Sequence, residues 1–225
     1  MTAIFVTATG TDIGKTFVTA RLIRHYRKTG RPVDAIKPVM TGLSVEAAAA
    51  SDAGVLLAAL GRPVEIDAIE RMAPWRFAAP LSPDMAARRE SRVIDFNEVV
   101  EFSRSAIANR RGLLLIEGIG GVMVPLDDRR TVLDWMSVLR IPVVLVAGTY
   151  VGTLSHTLTA LEVVARRNVD IAAVVVNESV QSAASLADTV ATLQHFVGGL
   201  DIVGLPRLAA DGEDHPAFAD LARLL

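Results

Sequence analysis

Phe5-Val6-Thr7-Ala8-Thr9-Gly10-Thr11-Asp12-Ile13-Gly14-Lys15-Thr16 is the stretch on which the fold turns. It opens inside a short apolar run, Ile4–Thr7, and ends where an amphipathic period begins. From Thr16 to Lys28, the residues Val18, Leu22, Ile23 and Tyr26 fall along one side, and Gly30 can stop the helix. Glycine at 14 lets the backbone approach an anion where a Cβ would obstruct it. Amides of the first helical turn then point at that anion, aided by the helix dipole. In such a loop Lys15 reaches the outer phosphates and the Thr16 hydroxyl binds Mg²⁺. The strict pattern asks for glycine five positions before Gly14, where Thr9 stands, and Gly10 comes one residue late. Gly-Lys-Thr alone would also suit an ordinary strand–turn–helix junction. Its place at the first strand-to-helix switch favours the phosphates of a nucleotide.

Outward from this loop the same alternation continues. Val33–Ile36, Leu113–Ile116, Val143–Val146 and Ala172–Val176 are apolar on both faces, as strands buried between two helix layers must be. Phe96–Ala108, Val132–Leu139, His156–Arg166 and Ser185–Phe196 have the helical period, and the short Ala47–Ala50 tract reads as helix. Strands alternating with helices predict right-handed crossovers and a mainly parallel sheet covered on both faces, a three-layer α/β fold. No repeat or linker interrupts residues 1–225, so a single domain is expected. Arg62–Glu90, with Pro63, Pro74, Pro80 and Pro83, is the least regular part and is expected to form loops and short helices over the sheet edge or the site.

Composition narrows the function classes. The chain has 225 residues, 51% hydrophobic and 5% aromatic, so aliphatic side chains must fill a sizeable core. Lys+Arg 23 against Asp+Glu 25 leaves a net charge of -2, with no global basic field for nucleic acid or an anionic membrane. The absence of cysteine excludes disulfides and thiolate-bound metal. Met1–Val6 lacks a basic leader, and the apolar stretch Ile141–Gly152 is too short to span a bilayer, so a soluble, cytoplasmic protein is expected.

In open parallel sheets, ligands bind beyond the carboxyl ends of the strands. Glu117 follows the apolar run Leu113–Ile116 and precedes Gly118-Ile119-Gly120-Gly121, which suits a cation held beside phosphates. The bland alternative is a solvated Glu before a Gly-rich turn. Lys37 ends another buried run, in Ile36-Lys37-Pro38-Val39-Met40-Thr41-Gly42, where a lysine is costly without an anionic partner. Its alternative is a snorkelling surface lysine. By position, Lys37 and Lys15 should converge above neighbouring strands, which makes sense where a γ-phosphate meets an anionic nucleophile. Asp52, after Ser51, reads by itself as a helix cap. Asp127 and Asp128 read as a solvated turn, and His25, His156, His195 and His215 have no metal-ligand spacing.

Five stretches in order, Phe5–Thr16, Lys37–Gly42, Ser51-Asp52, Glu117–Leu126 and Val146–His156, resemble the dethiobiotin synthetase family, and Val176-Asn177 and Leu205-Pro206 follow in place. The likeness covers nearly the whole chain. It implies a P-loop NTPase fold and an ATP- and Mg²⁺-dependent enzyme of biotin biosynthesis. The family's phosphate loop is itself one residue longer than the strict form. Ala8 stands for its first glycine, Asp12 for a frequent Glu, Thr41 for a frequent Ser and Ser155 for a frequent Asn.

The resemblance further implies roles for individual residues. Thr16, Asp52 and Glu117 hold Mg²⁺, which replaces the capping role for Asp52. Lys37 is the key catalytic lysine, acting with Lys15, Thr11 and Thr41. The nucleotide is bound by Asp12, Ile13, Gly14, Lys15, Thr16 and Phe17, by Gly118, Ile119 and Gly120, and on the base and ribose side by Asn177, Glu178, Pro206, Arg207, Leu208 and Glu213. Gly152, Thr153, Leu154 and Ser155 grip the substrate carboxylate from the partner subunit of a homodimer, and Thr41 also contacts substrate. The implied substrates are 7,8-diaminononanoate and CO₂ or bicarbonate. A carbamate and a carbamic-phosphoric anhydride lie on the path to ring closure.

Two other readings compete. A nucleotide switch of the partitioning or cell-division type shares the fold but usually carries an additional lysine early in the loop, and Thr7–Asp12 has none. An amidating ligase of corrin synthesis would need a nucleophilic cysteine and a further domain.

Overall fold

A computed structural model of the chain describes residues 2–44, 47–182, 184–208 and 214–225. Six strands form the main sheet in the order β2 (Val33–Ile36), β5 (Leu113–Glu117), β1 (Ala3–Ala8), β6 (Val143–Ala147), β7 (Ile171–Asn177) and β8 (Ile202–Leu205). Every neighbouring pair is parallel. The five expected strands are all present. β8 and a separate two-stranded ribbon, β3 (Val39–Thr41) with β4 (Trp75–Phe77), were not legible as strands. Pro38 does more than end β2. The chain leaves the main sheet there and resumes in the ribbon, where Trp75 N–H donates to the Pro38 carbonyl.

The alternation of strand side chains builds two cores. Ile4, Val6 and Ala8 of β1 join one apolar cluster, while Ala3 and Phe5 join the other. The first face is covered by α1 (Lys15–Lys28), α2 (Asp52–Ala59), α3 (Ile66–Met72) and α9 (Pro216–Leu224). The second is covered by α4 (Pro83–Arg89), α5 (Phe96–Asn109), α6 (Val132–Leu139), α7 (Thr153–Arg166) and α8 (Leu186–Phe196). The expected three-layer α/β architecture is therefore the one adopted. Burial of both strand faces is what required the continuous apolar runs.

Several local expectations need correction. β1 and β2 are not neighbours, because β5 lies between them. α7 starts at Thr153, three residues before His156, since Gly152 takes the left-handed conformation (φ 91°) that lets the chain turn into the helix earlier. The alanine tract forms only a short 3-10 turn, Ala48–Ala50. Ser51 is the cap of α2: its Oγ accepts from Gly54 N–H at 3.1 Å, which leaves Asp52 inside the first turn and free to face elsewhere. Asp127 accepts from the backbone of Arg129 and Arg130, as a turn residue should. Among the described residues no helix is long and apolar enough to cross a membrane.

Candidate functional site

Strand register sets the first contact. Ile36 of β2 pairs with Ile116 of β5, so Lys37 and Glu117 leave the sheet side by side. Both are buried, Lys37 to 1% and Glu117 to 0% exposure. Lys37 Nζ lies 2.8 Å from Glu117 Oε1, 3.0 Å from Asp52 Oδ2 and 2.6 Å from the Gly118 carbonyl. Removing an ammonium from water costs several kcal/mol unless acceptors surround it. Three acceptors do. Burial pulls the Lys37 pKa down, but Glu117 and then Asp52 outweigh it and hold the group above the ordinary lysine value, charged. Burial likewise pushes Asp52 up, and Lys37 outweighs it, leaving the carboxyl below its usual range. The snorkelling alternative for Lys37 and the solvated alternative for Glu117 are both excluded by this burial.

Thr16 joins the cluster from the first turn of α1. Its Oγ1 is 2.7 Å from Glu117 Oε1 and 2.9 Å from Asp52 Oδ1. A hydroxyl carries one proton, so it satisfies only one of these carboxylate oxygens at a time. Glu117 Oε2 is buried with no hydrogen-bond partner. The site thus has more acceptor oxygens than donors, which is the condition a hard cation relieves. Mg²⁺ commonly uses one or two protein carboxylates and completes its shell with phosphate oxygens and waters. The donor set Thr16, Asp52 and Glu117 fits that ion. Among the described residues no group of three or more His, Cys, Asp or Glu forms an all-protein cage. His25 pairs with Asp214 and His215 caps α9, both structural tasks.

Lys15 enters from the loop after β1. Its Nζ donates to the Gly120 carbonyl at 2.8 Å and the Gly10 carbonyl at 3.2 Å. Its pKa is lowered to about 8, chiefly by burial and next by the charge on Lys37. The loop needs special backbone at two positions, either side of Ile13. Gly14 has φ 101°, and Asp12 has φ 58°, a region an aspartate tolerates better than most residues. Ala8, where the family has glycine, is the last residue of β1 and is not among the positive-φ positions, so alanine fits.

These groups share one cleft of about 970 Å³. Thr11, Asp12, Gly14, Lys15, Thr16, Lys37, Thr41, Asp52, Ile119 and Gly120 line it, with Glu117 beneath. Lys15 and Lys37 therefore border one space roomy enough for a triphosphate tail. Pro80, Leu81, Ser82, Pro83 and Met85 form the opposite wall and Val124 one end. No motif pointed to these wall residues individually, although the irregular stretch around them was expected near the sheet edge or the site. Val124 and Thr11 also border an apolar groove of about 470 Å³ that runs on past Met123 to His156 and Val163.

The remaining candidates lie around the loop's far side or away from it. Asn177, at the end of β7, donates from Nδ2 to the Ile13 carbonyl at 3.0 Å. Phe17 is half-buried under the Arg21 guanidinium. Glu178 accepts from Arg207 N–H at 2.9 Å, holding the turn Pro206–Leu208 after β8. Glu213 lies outside the described residues. Gly152, Thr153, Leu154 and Ser155 do not line the cleft of their own chain. Thr153 is buried and spends its hydroxyl on the Gly148 carbonyl at 2.7 Å, whereas Ser155 is exposed.

A family profile described as an AAA domain matches residues 2–210. An ATP-dependent dethiobiotin synthetase of Acidiphilium cryptum is 51% identical over 178 residues, 79% of this chain and 80% of the relative. One of Caulobacter vibrioides is 45% identical over 222 residues, 98% and 99% of the two chains. Among solved structures, the cell division ATPase MinD of Pyrococcus furiosus superposes with a TM-score of 0.56 at 17% identity, covering 100% of this chain and 98% of that one. At that identity the superposition shows a shared fold alone.

Proposed function

The chain belongs to the ATP-dependent dethiobiotin synthetase family, an ATP-using ligase of biotin biosynthesis, and from that premise we propose that its cleft carboxylates 7,8-diaminononanoate and closes the ureido ring. One substrate amine takes up CO₂, losing a proton, to give a carbamate. A carbamate oxygen attacks the γ-phosphorus of ATP, ADP leaves, and a carbamic-phosphoric anhydride remains. The second amine attacks the carbonyl carbon. Phosphate departs with the C–O bond, the nitrogen loses its proton, and the five-membered ring closes.

The observation that carries this reading is the convergence of Lys15 and Lys37 on one cleft. Carbamate and γ-phosphate are both anions, and phosphoryl transfer depends on positioning them and neutralising their charge. Lys15 holds the outer phosphates and Lys37 faces the oxygens that react. Thr11 and Thr41, on the same cleft, supply hydroxyl donors to the carbamate. Thr16, Asp52 and Glu117 would hold Mg²⁺, which when bound supplies further charge neutralisation on the phosphate oxygens. Asn177, Glu178 and Pro206–Leu208 meet the adenine side.

The hydrocarbon tail has an apolar wall of Pro80, Leu81 and Met85 to follow, and it ends at the substrate carboxylate. Gly152–Ser155 of a second copy take that carboxylate in a homodimer. Their absence from the lining of their own chain's cleft and the exposure of Ser155 support that arrangement. The test is product analysis: the diamine, ATP and bicarbonate together should yield dethiobiotin, ADP and phosphate. Phosphate release that ignores the diamine and bicarbonate but responds to lipid or DNA would replace this reading with a nucleotide switch.

A further inference from the structure

The asparagine that closes β7 does something to the phosphate loop itself. Its Nδ2 donates to the Ile13 carbonyl at 3.0 Å. In a trans peptide the carbonyl and the following N–H point in opposite directions, and among the described residues no peptide is cis. Tethering Ile13 O toward Asn177 therefore turns the Gly14 N–H away from Asn177. Gly14 lines the cleft together with Lys15 and Thr16. The same asparagine also explains the glycine: a Cβ at 14 would sit 2.3 Å from Asn177 Nδ2, in addition to the strain of φ 101°. Side chain and missing Cβ interlock.

We propose that Asn177 is a positioning residue for the phosphate-binding loop, orienting the Ile13–Gly14 peptide toward a polyphosphate whether or not a base is attached. This goes beyond a contact with adenine, and it rests on Gly10–Thr16 being the phosphate loop. The two roles are compatible, because the side-chain amide has a second N–H and an oxygen with which to meet a base.

A ligand without a base separates them. Binding of inorganic tripolyphosphate and of ATP is measured by calorimetry for the full chain, Asn177→Leu, Asn177→Ser and Leu208→Ala, each with its unfolding midpoint. Leucine matches the bulk of asparagine without a donor, and serine, which is smaller and still polar, keeps the test open if the leucine variant does not fold. The expected result is at least tenfold weaker tripolyphosphate binding in the Asn177 variants. Leu208→Ala, on the base side, weakens ATP and leaves tripolyphosphate unchanged. Asn177 variants that lose ATP affinity and keep tripolyphosphate affinity would overturn the proposal while leaving the phosphate loop intact. If the unaltered chain binds no tripolyphosphate, the phosphate-loop reading falls and this inference with it.

Discussion

Lys37 Nζ bridges Glu117 Oε1 at 2.8 Å and Asp52 Oδ2 at 3.0 Å, so one buried ammonium is the counter-ion of both carboxylates assigned to Mg²⁺. A lysine and a divalent cation compete for the same oxygens. Lys37→Met removes the charge and keeps the bulk. Mn²⁺ binding without nucleotide, followed by paramagnetic resonance, should tighten by roughly tenfold or more. Lys15→Met is the control, because Lys15 touches backbone carbonyls and not the carboxylates. It should change Mn²⁺ affinity less. Equal effects of the two variants would show that the contact itself contributes nothing.

Glu117 is the partner that Lys37 can least lose. Glu117→Gln removes the buried charge at 2.8 Å and leaves Asp52 as the remaining carboxylate beside the ammonium. Breaking a buried pair from one side costs about 3–5 kcal/mol, and Asp52 should hold the loss to the lower part of that range. Chemical denaturation should register this with an unchanged slope, and Mn²⁺ binding should fall. A variant as stable as the parent would mean that the pair is not set against a desolvated lysine.

Ser51 and Asp52 divide two tasks that look alike in sequence. Ser51→Ala removes the cap of α2 and should cost about 1 kcal/mol of stability while most turnover survives. Asp52→Asn should cost some stability, though less than Glu117→Gln because Asp52 is the more exposed partner of Lys37, and should remove most turnover, because Asp52 faces Thr16 and Lys37. Paired unfolding and steady-state measurements check this. An Asp52→Asn variant that keeps its turnover would return Asp52 to a structural role.

The acid–base behaviour of Lys15 gives a pH test with a definite sign. Its pKa in the unliganded chain is about 8, lowered mainly by burial, and an anion beside it favours the charged form. Below pH 8 the lysine is protonated with or without ATP, so affinity is flat with respect to this group. Above pH 8 the free protein loses that proton and must regain it on binding. ATP affinity should then fall by up to tenfold per pH unit, with up to one proton taken up, as measured by calorimetry in buffers of different ionisation enthalpy. Proton release over that range would contradict the assignment.

The site was legible wherever a charged residue interrupted a run that had to be buried. Lys37 after Ile36 and Glu117 after Ile116 stand out because a two-sided apolar strand cannot end in a charge without a partner. The Gly-Lys-Thr loop stands out for its place at the first strand-to-helix switch. What escaped was tertiary. Nothing local says that β5 slots between β1 and β2, yet that insertion sets Glu117 beside Lys37. Ser51 and Asp52 are both good caps, and only the helix start decides which one caps and which turns to the cleft. β3, β4 and the wall Pro80–Met85 are short, proline-rich pieces whose pattern is too brief to carry a period. The interlock of Asn177 with Gly14 joins positions far apart in the chain, so no spacing announces it.

Bicarbonate-dependent phosphate release by Lys37→Ala, with diamine and ATP saturating and ATP binding measured in parallel, bears most directly on the central claim. Loss of a charge-stabilising donor of this kind raises a barrier by about 2.7–4 kcal/mol, or roughly a hundredfold to a thousandfold in rate. The expected result is a loss of that size with ATP still bound through Lys15 and the loop. Near-normal release from the variant would mean that the two anions meet without Lys37.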